Sequence, residues 1–159
     1  MKKQWIVASI LVVVVAVVST LGILYVVAKQ PQNQDFERIE TLVLSQDLVD
    51  TVTTTYAYHS VTSYITVIGT KDEQNVAYIV DSADSKTAYE VMLEDGITAQ
   101  QAEELTRAEH NVQEILSIKL GYEEIGPVWE VTYMNENDAL SYTYLDFKTG
   151  EWWKRISNL

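Results

Sequence analysis

Lys148-Thr149-Gly150 is the stretch of this chain whose residue types most directly suggest a reaction. In penicillin-binding enzymes a Lys-Thr-Gly strand stands beside a nucleophilic serine in Ser-x-x-Lys, with Ser-Asp-Asn nearby. Neither partner motif occurs in the sequence. The triplet lies between two strand-like runs, Leu140 to Phe147 and Trp152 to Ile156. A glycine there supplies the positive φ that a short hairpin loop needs. We therefore read it as a turn.

The remaining reactive groups are sparse. His59 and His110 are the only histidines, they fall in different halves of the chain, and there is no cysteine. A zinc site would have to be assembled from carboxylates, and no ligand spacing supports one. His59 next to Ser60 is not a dyad, because neighbouring strand residues point to opposite faces. Gly-x-Ser-x-Gly, His-Glu-x-x-His and phosphate-cradling glycine loops are absent. Asp81-Ser82-Ala83-Asp84 and Glu94-Asp95-Gly96 offer oxygens for a weak Ca²⁺ contact, but solvated turns explain them more simply. No catalytic, cofactor-binding or metal-binding residue is assigned, no cofactor is expected, and the chain is not expected to be an enzyme. A hydrolase using carboxylates alone is the least favoured reading.

The elements that would hold any site are legible from periodicity. Asp35 to Leu48 places Phe36, Ile39, Leu42 and Val43 at helical spacing. Four strand-like runs follow: Val52 to Ser60, Ser63 to Thr70, Val76 to Asp81 and Ala88 to Leu93, with a polar turn at Lys71 to Asn75. Thr98 and Gln101 have capping-box spacing, and Ala99, Ala102, Leu105 and Ala108 give the next helix a narrow apolar face. Four more strands are expected at Val112 to Gly121, Val128 to Met134, Leu140 to Phe147 and Trp152 to Ile156. On the sixth strand Trp129, Val131 and Tyr133 share one face, while Val128, Glu130 and Thr132 share the other. The pattern of one helix and four strands occurs twice. The expected fold is α+β, each unit a helix packed on a 3–4-stranded antiparallel sheet. Units this small bury little surface alone, so the two should share an interface.

Trp5 to Ala28 carries no charged side chain, and a helix of that length reaches across a hydrocarbon core of about 30 Å. The run is too long for the apolar region of a cleaved signal. Lys2 and Lys3 place the N-terminus in the cytoplasm by the positive-inside rule. The expected organisation is a cytoplasmic N-terminus (1–4), a transmembrane anchor in the bilayer (5–28), a polar linker (29–34), a first unit (35–95) and a second unit (96–159). Residues 30–159 keep eight of the 11 basic residues and all 23 acidic ones, a net of −15. That excludes the basic clusters a nucleic acid requires.

Asp95-Gly-Ile-Thr-Ala-Gln-Gln-Ala-Glu-Glu-Leu105, Trp129-Glu-Val-Thr-Tyr133 and Tyr144-Leu-Asp-Phe-Lys-Thr-Gly-Glu151 together resemble PepSY-like modules. The whole layout is similar to the TseB/YpmB family of Gram-positive bacteria: a short basic N-terminus, one membrane anchor and two cystatin-like units. The resemblance implies a single-pass membrane protein with its C-terminal part extracellular. It also implies a regulator of cell-wall elongation that contacts a class B penicillin-binding protein. The alternative is a PepSY-type inhibitor or modulator of an extracellular peptidase. The family has no catalytic motif to carry over.

Overall fold

The computed structural model describes residues 2–157, with residues 2–13 and 26–32 described by backbone alone. The chain divides into residues 1–37 and 38–159. The first helix, α1, spans Lys2–Ser45. The linker expected at 29–34, and the separate helix start at Asp35, are therefore corrected: both lie within α1. The linker was expected from the polar run and from Pro31, which costs about 3 kcal/mol inside a helix, whereas Gln, Lys and Asn cost below about 0.7 kcal/mol each; α1 runs through all of them. Of the expected anchor 5–28, the side chains of 5–13 and 26–28 lie outside the described residues. The described part, 14–25, is shorter than the roughly 20 residues a crossing needs. Among the described residues no helix is long and apolar enough to cross a membrane.

α1 stops three residues short of the expected Leu48 for a local reason. Asp47 adopts φ 55°, the left-handed conformation of a helix C-cap. The Leu48 N–H then donates to the Val43 carbonyl at 2.9 Å and the Asp47 N–H to Leu44 at 3.1 Å, which satisfies the last turn. Arg38 ties this end down by donating to Ser85 Oγ at 2.5 Å.

Sheet A is a meander of β1 (Thr51–His59), β2 (Ser63–Lys71), β3 (Gln74–Asp81) and β4 (Ala88–Met92), antiparallel in that order. β2 and β3 are joined by a two-residue turn, with Asp72 at φ 48° and Glu73 at φ 67°. Positive φ at both positions matches the right-handed twist of the strands. Ile65, Val67, Val76 and Val80 are buried on one face of the sheet, and Ile39, Val43 and Val49 are buried as well. Tyr58, Tyr64, Ala77, Ile79 and Val91 are buried within a second cluster.

After a 3-10 turn (Leu93–Asp95), α2 spans Ala99–Glu109. The expected capping box is present: Gln101 N–H donates to Thr98 Oγ1 at 3.1 Å, and Thr98 N–H to Gln101 Oε1 at 2.8 Å. The expected apolar face is corrected in part. Ala102 and Thr106 are the buried residues of α2, whereas Leu105 and Ala108 are exposed. Thr106 is tolerated there because its hydroxyl donates back to the Ala102 carbonyl at 2.8 Å. Sheet B follows as β5 (Val112–Glu123), β6 (Gly126–Asn135), β7 (Leu140–Asp146) and β8 (Trp152–Ile156), again an antiparallel meander. β6 is buried on both faces.

Both sheets and α2 feed one core. Tyr58, Ile79 and Val91 of sheet A join Leu120, Trp129, Val131, Leu145 and Phe147 of sheet B, together with Ala102. At the junction of β1 and β2 with β5, side chains bridge what no ladder pairs. Thr66 Oγ1 donates to the Leu120 carbonyl at 2.9 Å. The Leu120 N–H donates to the Tyr56 hydroxyl at 2.9 Å, and Lys119 Nζ to the Ala57 carbonyl at 3.0 Å.

Lys148-Thr149-Gly150 forms the β7–β8 turn, as its composition predicted. Asp146 Oδ1 accepts from Lys148 N at 3.0 Å, Thr149 N at 2.8 Å and Thr149 Oγ1 at 3.0 Å, and Gly150 sits at φ 73°. Asp146→Ala removes all three bonds at once. We expect a loss of about 1–2 kcal/mol, allowing for the exposure of the turn. It should appear as a lower urea midpoint at unchanged slope; an unshifted midpoint would show the turn to be held by glycine alone.

Candidate functional site: the cleft along β4

The titratable groups are the first place to look for chemistry. His59 is exposed and lies 3.2 Å from Ser63 Oγ. His110 caps the C-terminus of α2 and stacks on Tyr133. Its imidazole is held below the ordinary value by burial first and then by the Arg155 charge. The carboxylates of the first acidic turn serve their own backbone. Asp81 Oδ1 accepts from Ala83 N at 2.7 Å, and Asp84 Oδ1 from Lys86 N at 3.2 Å. Glu94 accepts from Gln74 Nε2 at 3.0 Å. Among the described residues no three His, Asp or Glu side chains gather at metal-binding spacing.

The fold does bring together one set of acids that the sequence left unpaired. Tyr58 donates to Glu123 Oε1 at 2.7 Å, and Glu130, Tyr144 and Lys119 lie close by. Burial pushes the Glu130 carboxyl up, with Tyr144 and Lys119 partly offsetting it. Burial also raises the Tyr58 phenol, and its bond to Glu123 raises it further. Tyr58 is fully buried, and Glu123 and Glu130 are each only 8 % exposed. Two carboxyl groups with one raised is the pattern of acid–base pairs, but here Glu123 is engaged by the Tyr58 hydroxyl. It can hold the two sheets together by charge-assisted hydrogen bonds.

Open concave surface lies elsewhere. A cleft of about 570 Å³ runs beside β4, between Tyr89 and Val91 on one side and Tyr122, Pro127 and Phe147 on the other. Its size is that of ordinary ligand sites, which run roughly 300–1,000 Å³. Tyr89 and Tyr122 stack at 3.6 Å with 10° between their planes, joining the two sheets through their rings. Tyr64 meets both rings at 6.2–6.3 Å. Behind this trio a smaller cleft of about 260 Å³ reaches Glu123 and Ser60. Sequence reasoning named no residue of this cleft as functional. The alternation of β4 was visible, but its facing wall comes from residues some 30 to 60 positions away.

Two antiparallel meanders sharing one core, with an open cleft at the edge of the first, define the class: an α+β protein with a YpmB-like fold. The solved structure of YpmB protein from Bacillus subtilis carries that likeness. It is 26 % identical over an alignment covering 69 % of this chain and 86 % of that one, with a TM-score of 0.62. No family model matches the chain, and no curated protein matches it.

Proposed function

We propose that this chain is a membrane-anchored extracytoplasmic regulator of cell-wall elongation. It acts by contact with a class B penicillin-binding protein and not by catalysis. The observation that carries the contact role is the open cleft at the edge of sheet A, with Tyr89, Val91, Tyr122, Pro127 and Phe147 in its walls. The resemblance to the TseB/YpmB family, in anchor, helix opening and late hairpin, supplies the process and the partner. The likeness in fold to YpmB supports that resemblance. Residues 5–28 hold the chain in the bilayer, with the N-terminus cytoplasmic. Confinement to a layer above the membrane raises the effective concentration of a similarly anchored partner, so a modest interface suffices.

The test is a deletion strain paired with affinity purification of the tagged full chain from membranes. We expect altered cell width or length and co-purification of a class B penicillin-binding protein. Normal shape together with no such partner would overturn the proposal. The same open edge also suits the second reading, a modulator of an extracellular peptidase. Under that reading the purified chain changes the activity of secreted proteases and leaves wall synthesis untouched.

A further inference from the structure

Four strands end the two sheets: β1 and β4 in sheet A, β5 and β8 in sheet B. β1 and β5 lie against each other, bridged by Lys119 and Tyr56. The other two edges differ in how they are defended. β8 carries Lys154 and Arg155, and its pairing with β7 is broken by a register shift at Tyr144/Leu145. Charge and irregularity are the usual means of keeping an edge from pairing. β4 has neither lysine nor proline, its register with β3 is unbroken from Ala88 to Met92, and its one charge is Glu90.

The phase of the ladder shows what this edge offers. The Asp81 N–H donates to the Thr87 carbonyl at 2.9 Å. Bonded and non-bonded pairs alternate along an antiparallel ladder, so Tyr89 and Val91 direct their N–H and C=O groups to β3. Ala88, Glu90 and Met92 turn theirs outward. All five β4 residues line the cleft; the side chains of Tyr89 and Val91 lie on the sheet face toward Tyr122, and that of Glu90 on the other face, where the Tyr78 hydroxyl donates to it at 2.6 Å.

We infer that an extended, basic–apolar alternating segment of a partner protein adds to β4 as a fifth strand of sheet A. The inference deepens the contact role proposed above and rests on it for the partner being a protein. Apolar side chains of the added strand enter the cleft against the Tyr89–Tyr122 stack and Phe147. The intervening side chains lie beside Glu90 on the other face, where lysine or arginine is complementary. The cleft is lined by two acidic side chains, Glu90 and Asp95, and one basic one, Lys148, and the whole chain has a net charge of −12, so an acidic segment is repelled. A second copy is disfavoured for the same reason. A two-fold β4–β4 pair centred on Glu90 would oppose two carboxylates, and each chain carries the same −12. Main-chain bonds to the free edge give affinity, and the alternating side chains give specificity.

The test is binding of a terminally blocked heptapeptide of alternating arginine and valine to the full chain in detergent micelles. A glutamate–valine heptapeptide serves as the charge control, and an arginine–valine heptapeptide N-methylated at alternate residues as the backbone control. We expect saturable binding of the first, and binding weaker by about tenfold or more for the N-methylated form in the bonding register. Glu90→Gln should weaken binding about threefold, the effect of one rim charge. Glu90→Pro should abolish it, because it removes an outward N–H while leaving the β3 ladder intact. Equal binding of methylated and unmethylated peptides, or preference for the acidic peptide, overturns the inference whether or not the proline variant folds. Failure here is distinguishable from failure of the proposed function. Peptide binding with normal cell shape sinks the wall role alone, and a wall phenotype without peptide binding sinks the β4 edge alone.

Discussion

Replacing Gly121 by alanine is expected to cost about 3 kcal/mol and to lower the melting temperature of the body by about 10 °C. A Cβ built on Gly121 would lie 2.3–2.4 Å from three carbons of the Tyr58 ring. Gly121 does not adopt the left-handed backbone, so the obstacle is purely steric. Nor can the ring step aside cheaply. Tyr58 is fully buried, and its hydroxyl is fixed to Glu123 at 2.7 Å. Overpacking of this kind typically costs 1–3 kcal/mol, and a site gripped from both ends belongs at the upper end of that range.

A double-mutant cycle separates the ring from the hydroxyl. In a Tyr58→Phe background the ring remains but loses its tether to Glu123, so Gly121→Ala should still be costly, though less so than in the parent chain. Tyr58→Phe alone should cost about 2 kcal/mol, because it leaves Glu123 buried without its donor. In a Tyr58→Leu background Gly121→Ala should cost far less, a coupling expected only between residues in contact. Additive costs in the leucine background would show that the two sheets do not meet through this contact.

That contact also shows where the sequence stops being informative. All eight strands sit within a few residues of the runs that composition and alternation predict, because each depends on neighbours in the chain. The capping box of α2 and the Lys148-Thr149-Gly150 turn were legible for the same reason, their partners lying two to four residues away. The Tyr58–Glu123 bond joins residues 65 apart. Two register shifts in β5, between Val112 and Glu114 and between Ile115 and Ser117, intervene before Leu120 and Gly121. Each shift reverses which face the following side chains occupy, so the two cancel and alternation counted from Val112 still gives the face of Gly121 and Glu123, but nothing local says that Tyr58 packs on it. A glycine inside a strand was itself a sign of close backbone approach, though not of what approaches. At 29–34 the converse holds: local polarity and Pro31 mark a break where the backbone stays helical. The cleft was invisible because its two walls belong to different sheets, and no local pattern predicts how sheets are set together.

Raising the pH should unfold the body cooperatively, beginning just above pH 10. Tyr58, Tyr78 and Tyr144 are each at most 6 % exposed. Burial is the first cause that raises each phenol, and a carboxylate adds to it: Glu123 for Tyr58, Glu90 for Tyr78 and Glu130 for Tyr144. Tyr56, against the Leu120 backbone, is pushed up to about 12, again by burial. In the unfolded chain phenols ionise near pH 10. Above that point the unfolded state binds fewer protons than the folded one, so unfolding free energy falls as pH rises. Below it these groups are protonated in both states and contribute no slope. Each fully differential phenol contributes about 1.4 kcal/mol per pH unit, and three together about 4. A body with about 8 kcal/mol of stability at neutral pH would then reach its midpoint near pH 12. Tyrosinate absorbance and circular dichroism, followed together, decide the matter. The buried phenols should ionise only as the fold is lost, and Tyr78→Phe should make the stability fall less steeply with pH. If these tyrosines ionised with ordinary affinity while the sheet signal stayed intact, the interior around them would have to be open to water, and the bonds to their carboxylates would have to be absent.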